Sequence, residues 1–232
     1  MTPAKVSKRF SPQALEALAR ADLEAAGAVL IDAFHDDPLW NAVFADVPER
    51  ETTFRAFIQT PLLYSLRYGG VYADSERLEG IAAWVPGERA DMSLWGLIAS
   101  GAFGPMMQVG SRVGTTLQQV FRPWSRARRR HMRGRRFVYL TIIGVAREQQ
   151  GRGIGGRLMR SIGEASDRSR LPVYLETETE GNAGFYERLG FRVLETMTLP
   201  VVDLPAWLMV REAGASPESA GRTRSAPTTT SA

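Results

Sequence analysis

The chain has no cysteine and only two histidines, His35 and His131, in 232 residues. Disulfides, thiolate nucleophiles and cysteine–metal clusters are thereby excluded, and a histidine-built metal site is not expected. Long apolar runs are also missing. The longest, roughly 94 to 109, is short for a membrane span and is broken by Gly96, Gly101, Gly104 and Pro105. Lys5, Lys8 and Arg9 stand near the start, but no apolar stretch of signal-peptide type follows them. These absences lead to the expectation of a soluble, cytoplasmic protein with no membrane partner and no metal.

What is present suits one ordinary domain. The hydrophobic fraction of 44% suffices for a core, and the length fits a single domain with insertions. The net charge of +4 is unevenly spread, because Arg122, Arg126, Arg128, Arg129, Arg130, Arg133, Arg135 and Arg136 crowd around His131. Such a cluster can serve as a patch for nucleic acid or an anionic cofactor. The plainer reading is a solvated helix face. Trp124 alone supplies aromatic interleaving, too little for a single-strand stacking platform, so no nucleic-acid partner is expected.

Residues 1–10 and 214–232 read as unstructured ends, leaving 11–213 as the domain. Gln13 to Ala19 can form a strand. Asp22 can then cap a helix carrying Leu23, Ala26, Leu30 and Phe34, which should stop near Asp36-Asp37-Pro38. A second helix over 51–68 leads through Gly69-Gly70 to a hairpin of 71–73 with 78–85. Residues 91–136 form a variable segment, helical in pattern as far as 131. Phe137 to Val145 is a continuous apolar run, as in a strand buried on both faces, and Gly144 within it suggests a bulge or a close backbone approach. Ile154, Leu158 and Ile162 then mark one face of a helix. A short strand over 173–176 follows, then a helix capped by Asn182 and ended by Gly190, and finally strands at 191–199 and 206–211.

The glycines between the apolar strand and the next helix carry the chemistry. A glycine turn at a helix N-terminus presents unpaired backbone N–H groups to an anion. Gly151, Gly153 and Gly156 satisfy the dinucleotide pattern G-x-G-x-x-G. In a dinucleotide fold, however, the first glycine turns directly off the strand. Here Ala146 to Gln150 intervene, and too little chain remains after Glu176 for a doubly wound sheet. A P-loop fails because no Lys-Ser/Thr follows the last glycine.

Read as Gln150-x-x-Gly153-x-Gly155, the segment resembles the pyrophosphate-binding signature of the GNAT superfamily of acyl-CoA N-acyltransferases. Leu175-Glu176-Thr177, Asn182 and Phe185-Tyr186-Glu187-Arg188-Leu189-Gly190-Phe191 follow in that family's order. Together with Trp207-Leu208-Met209, the set is similar to the puromycin N-acetyltransferase branch. The resemblance is strong over 137–211 and thin upstream. It implies an α/β (α+β) fold: a mixed, mostly antiparallel central sheet of about six to seven strands flanked by helices, splayed between 137–145 and 173–176.

The resemblance further implies acetyl-CoA as co-substrate and a small-molecule primary amine as acceptor, antibiotics and other xenobiotics among the options. Gln150, Gly151, Arg152, Gly153, Ile154, Gly155 and Gly156 would hold the CoA pyrophosphate, with Asn182 also on the cofactor side. The strand edge at Ile143 to Val145 would pair with pantetheine, the Val145 N–H would meet the thioester oxyanion, and Gly144 would keep that approach clear. Tyr186 matches the general acid that protonates the CoA thiolate. Glu176 is the candidate base, acting through water, ahead of Glu178 and Glu180. Asp36 and Asp37 can attract a cationic acceptor, or simply cap and turn the chain. The expected assembly is a monomer or homodimer. The competing reading is a non-catalytic acyl-CoA-binding or nucleic-acid-binding module.

Overall fold

The computed structural model describes residues 9–215. The first strand, β1, is only Glu16–Ala17, a fragment of the strand expected over 13–19. A 3-10 turn, Arg20–Asp22, leads into α1, Leu23–Ala33. The sequence assigns Asp22 to cap that helix; instead its carboxylate accepts from the Ala19 N–H at 2.8 Å and closes the 3-10 turn. A short helix absent from the sequence reading follows as α2, Pro38–Val43. Asp37 caps it by accepting from the Trp40 N–H at 3.0 Å, and Pro38 sits in the first turn, where its missing N–H costs nothing.

Next come α3, Arg50–Tyr68, and the hairpin of β2, Gly70–Ala73, with β3, Gly80–Pro86. The 91–131 region resolves into α4, Leu94–Ser100, α5, Phe103–Gln108, and α6, Gly110–His131. Then follow β4, Val138–Val145, α7, Ile154–Ser169, and β5, Val173–Thr177. The chain ends its regular structure with α8, Glu180–Glu187, β6, Arg192–Leu199, and β7, Leu204–Arg211. Asn182 does not cap α8. Thr179 does, its hydroxyl accepting from the Asn182 N–H at 3.2 Å, so Asn182 lies inside the first turn.

The seven strands form one open sheet in the order β1-β2-β3-β4-β5-β7-β6. Every pairing is antiparallel except β4 with β5. That parallel pairing is confined to Val138 with Val173 and Tyr139 with Tyr174, after which the two strands part. β5 continues against β7, while β4 stays with β3. The expected splay is therefore present. Side chains of α1, α3 and α6 cover one face of the sheet, and those of α7 and α8 cover the other. β3 serves both layers at period two, sending Ile81 and Ala83 to the first and Ala82 and Trp84 to the second.

β4 departs from the expected strand buried on both faces. Val138, Leu140 and Ile142 are buried, but Tyr139, Thr141, Ile143, Gly144 and Val145 are only partly so, and a cavity opens beside Tyr139, Thr141 and Ile143. It also carries a bulge. Ala83 pairs with Ile142 and Trp84 with Leu140, which leaves Thr141 as the extra residue. The Thr141 hydroxyl donates to the Ala83 carbonyl at 2.8 Å and meets the Ser65 hydroxyl at 3.0 Å. An inserted residue inverts the inward–outward parity beyond it. Val138 and Leu140 thus join the α7 layer, whereas Ile142 joins the α1 layer. Gly144 turns toward α1 as well: a Cβ there would stand 2.8 Å from Ala33 Cβ and 2.9 Å from Leu30 Cδ2. The glycine therefore admits the packed helix α1.

Residues 1–8 and 216–232 of the expected unstructured ends lie outside the described residues. At the inner edges the chain is held. Phe10 is fully buried with its ring centroid 4.7 Å from that of Trp84, and the Gly214 N–H donates to Asp167 at 2.7 Å.

Candidate acyl-transfer site

The glycine loop follows from backbone geometry. Gly151 and Gly153 have φ of +76° and +81°, values that favour glycine, and nothing lies within 4 Å of where either Cβ would be. The loop is open to an incoming group. Gly153 is the N-cap of α7, so the N–H groups of Ile154, Gly155 and Gly156 leave the helix end without intrahelical partners. The Ile154 side chain is buried in the core, which restricts that residue's contribution to its backbone. Arg152 is exposed beside the loop. The Gln150 side chain donates to the Val145 carbonyl at 3.1 Å and ties loop to strand.

The strand edge can be read the same way. The Ala146 N–H donates to the Glu79 carbonyl, on the β3 side. Backbone groups alternate sides along a strand. The N–H groups of Val145 and Ile143 therefore point away from β3, into the gap that β5 has left. A Cβ on Gly155 would lie 3.6 Å from Phe185 and 3.8 Å from Val145, so loop, strand end and α8 converge.

Next to this gap is a cavity of about 730 Å³. Leu140 to Ile143, Leu175 to Glu178, Asn182 and Tyr186 form its sheet-side wall, and aromatic residues Phe34, Trp40, Phe57, Phe121 and Trp124 stand opposite. Tyr186, Glu176, Asn182 and Ile143 are thus brought to one space, while Val145 and the glycine loop lie further along the same gap. Burial and the nearby Glu178 carboxyl push the Tyr186 phenol well above its usual range, so it stays protonated at neutral pH.

The two glutamates differ. Glu176 accepts from Arg128 Nη1 at 2.7 Å, and its side chain is 2% exposed. Arg128 also donates to Asp91 at 2.7 Å and to Ser125 at 3.3 Å, and its guanidinium lies 4.4 Å from the centroid of the Tyr139 ring. Burial works against the charge on Arg128, but Glu176 and Asp91 outweigh it and hold the guanidinium protonated. Glu178 has no such cation among the described residues. Burial, then the neighbouring and hydrogen-bonded Asp37, raise its carboxyl well above the ordinary carboxylate range. Asp36, by contrast, faces outward to His35 at 2.8 Å and Arg147 at 3.4 Å.

Residues 120–193 match the acetyltransferase (GNAT) domain family. The chain carries a GNAT acetyltransferase domain. It is an enzyme of the acyltransferase class, and its seven-stranded splayed sheet matches the GNAT fold. An uncharacterized N-acetyltransferase of Schizosaccharomyces pombe is 26% identical over 200 residues, covering 82% of this chain and 80% of that protein. Among solved structures, histone acetyltransferase HPA2 and related acetyltransferase from Corynebacterium glutamicum superposes with a TM-score of 0.58 at 22% identity, covering 86% of this chain and 95% of that one. An agmatine N-acetyltransferase variant superposes with a TM-score of 0.52 at 18% identity, over 85% and 98% of the two chains.

The GNAT domain implies acetyl-CoA as co-substrate, and the residues present fit it: an open glycine cradle, a helix end with free N–H groups and an unpaired strand edge. No helix among the described residues is long and apolar enough to cross a membrane. The arginine cluster largely serves the domain's own acids. Arg128 and Arg129 meet Asp91, Arg130 and His131 meet Glu195, and Arg135 meets Glu212.

Arg128 and Asp91 escape sequence reasoning as site residues, yet Arg128 leaves a signal. Val113, Leu117, Val120, Trp124 and Ala127 form the buried stripe of α6, and Arg128 extends it. An arginine on an apolar stripe must find an acid. Glu178, ranked behind Glu176 in the sequence, lies one residue beyond the end of β5, where it lines the cavity beside Tyr186.

Proposed function

We propose that this GNAT domain transfers the acetyl group of acetyl-CoA to the primary amine of a small molecule by direct attack. Acetyl-CoA would supply the thioester; the chain's own residues do the rest. The N–H groups at the start of α7 hold the pyrophosphate, with Gln150 fixing the loop against β4. The Val145 N–H, aimed into the splay, donates to the thioester oxygen as charge develops there. Asn182, on the cavity side of α8, contacts the pantetheine arm.

One observation carries the reading. A proton donor, Tyr186, and a carboxyl with no cation partner among the described residues, Glu178, stand in one aromatic-walled cavity at the open strand edge. The amine must lose a proton to attack, and the departing thiolate must gain one. We assign the first role to Glu178 with Asp37, and the second to Tyr186. A thiolate formed in the same dry space is desolvated like the phenol, which keeps the two proton affinities close despite the high value for Tyr186. Glu176 lines the same cavity but is committed to Arg128, so its part is to hold the floor of the site in place. The aromatic wall suits an acceptor with an apolar body, antibiotics and other xenobiotics included. A neighbour of the same fold is named for agmatine, also an amine.

The test is incubation with acetyl-CoA and a panel of arylalkylamines, polyamines and amino-nucleosides, following CoA thiol release. Turnover with at least one class, lost in Glu178→Gln, is the expected result. No turnover on any class, together with no acetyl-CoA binding by calorimetry, would overturn the assignment.

A further inference from the structure

Six arginines and no acid lie on α6, and their fates differ. Arg128, Arg129 and Arg130 have acidic partners. Arg122 and Arg126 have no ion pair or hydrogen bond among the described residues, and both are exposed. They are one helical turn apart, where like charges repel unless an anion joins them. With Gln118, Phe121, Ser125 and Arg129 they line a furrow of about 610 Å³ along the helix. Four of its residues, Gln118, Phe121, Ser125 and Arg129, also line the acceptor cavity. The furrow therefore adjoins the cavity that Tyr186 and Glu178 line.

From this we infer that the furrow is an anion subsite of the acceptor pocket, and that the acceptor is an arylalkylamine bearing a carboxylate or phosphate at the end remote from its amine. The inference rests on the acetyl-transfer reading and names the substrate class of that site. The two ends of the pocket have opposite character. Glu178, with Asp37 beside it, lies at the end lined by Tyr186, whereas Arg122 and Arg126 offer planar donor forks suited to carboxylate or phosphate oxygens. Phe121 and Trp124, between them, provide surface for an aromatic spacer. Arg122 and Arg126 stand about 6 Å apart along the helix, close enough for one such anionic group to meet both forks.

Three matched acceptors test this: phenethylamine, 4-(2-aminoethyl)benzoate and tyramine phosphate, assayed for CoA release at low and high salt. Both anionic amines should exceed phenethylamine in kcat/KM by about tenfold, the effect of one charge-assisted contact, through a lower KM. The advantage should shrink at high salt, since the furrow is exposed. The Arg122→Gln/Arg126→Gln double variant should lose it, while Arg133→Gln, outside the furrow, keeps it. A preference for only one of the anionic amines identifies the group as carboxylate or phosphate. Equal use of all three amines by the unmodified protein, or a preference that survives the double substitution, overturns the subsite.

If no amine is acetylated, acetyl transfer fails as a reading, and the subsite is decided by binding alone. Benzoate and phenyl phosphate would be titrated by calorimetry into protein saturated with CoA. Binding that disappears in the double variant supports the subsite; absent or unchanged binding overturns it.

Discussion

Arg128 on α6 and Glu176 on β5 meet at 2.7 Å with side chains 6% and 2% exposed, joining the acceptor-side helix to the strand that opens the splay. Removing one partner of a buried pair strands the other's charge. Arg128→Met should cost about 3–5 kcal/mol of stability in urea denaturation, and adding Glu176→Gln should restore much of it. A single variant as stable as the parent would mean that the pair does not brace the site.

Glu178 and Glu176 should separate in their pH profiles. Glu178 holds its proton to higher pH than an ordinary carboxyl, so activity should rise through that elevated range as the base ionises. Its folded-state proton affinity exceeds the unfolded one. The stability it contributes is therefore complete below the usual carboxyl range and is lost as pH rises through the raised value. Glu178→Gln should abolish both the acidic limb of kcat/KM and this stability slope. Asp37→Asn keeps a residue able to cap α2 but removes the neighbouring charge, so the limb should move to lower pH. An acidic limb unmoved in both variants would exclude the pair from proton transfer.

For Tyr186, the expected result is a split between rate and affinity. Tyr186→Phe keeps the ring that packs on Phe185 and Phe191 and deletes only the hydroxyl. Turnover should fall by about 10²–10⁴-fold, the usual contribution of a positioned acid, with the acetyl-CoA dissociation constant nearly unchanged. An unaltered kcat would assign the thiolate's proton to another donor.

Two glycines should fail in different ways. Gly153→Ala puts a side chain at φ +81° in open space, so about 1–2 kcal/mol of backbone strain should appear together with weaker acetyl-CoA binding. Gly144→Ala drives a methyl into Leu30 and Ala33, and the expected loss is about 1–3 kcal/mol from overpacking. Thermal melts with and without acetyl-CoA would distinguish them. A larger ligand-induced shift in Gly153→Ala than in the parent protein would contradict the cradle.

Legibility in the sequence followed the range of the interactions. The strand over 138–145, the glycine turn and the helix over 154–169 form one contiguous stretch whose signals are local: an apolar run, positive-φ glycines and a period near 3.6. The Thr141 bulge was not visible, because it is defined by register against β3. Asparagine is a good cap, but Thr179, three residues earlier, starts the helix by accepting the Asn182 N–H, which places Asn182 inside the first turn. The eight clustered arginines looked like one patch. Their separation into paired and unpaired members depends on Asp91, Glu176, Glu195 and Glu212, which come from four other segments.

By itself, the sequence determined the glycine loop and the helix that follows it, because an anion-cradle pattern is made of consecutive backbone N–H groups and needs only glycines before a helix. The tertiary structure alone decided the cavity wall. Arg128 lies 37 residues from Asp91 and 48 from Glu176, and neither pairing is encoded in local pattern. Which carboxyl was neutralised by a cation, Glu176, and which was left beside another acid, Glu178, depended on where α6 came to rest over the splayed sheet.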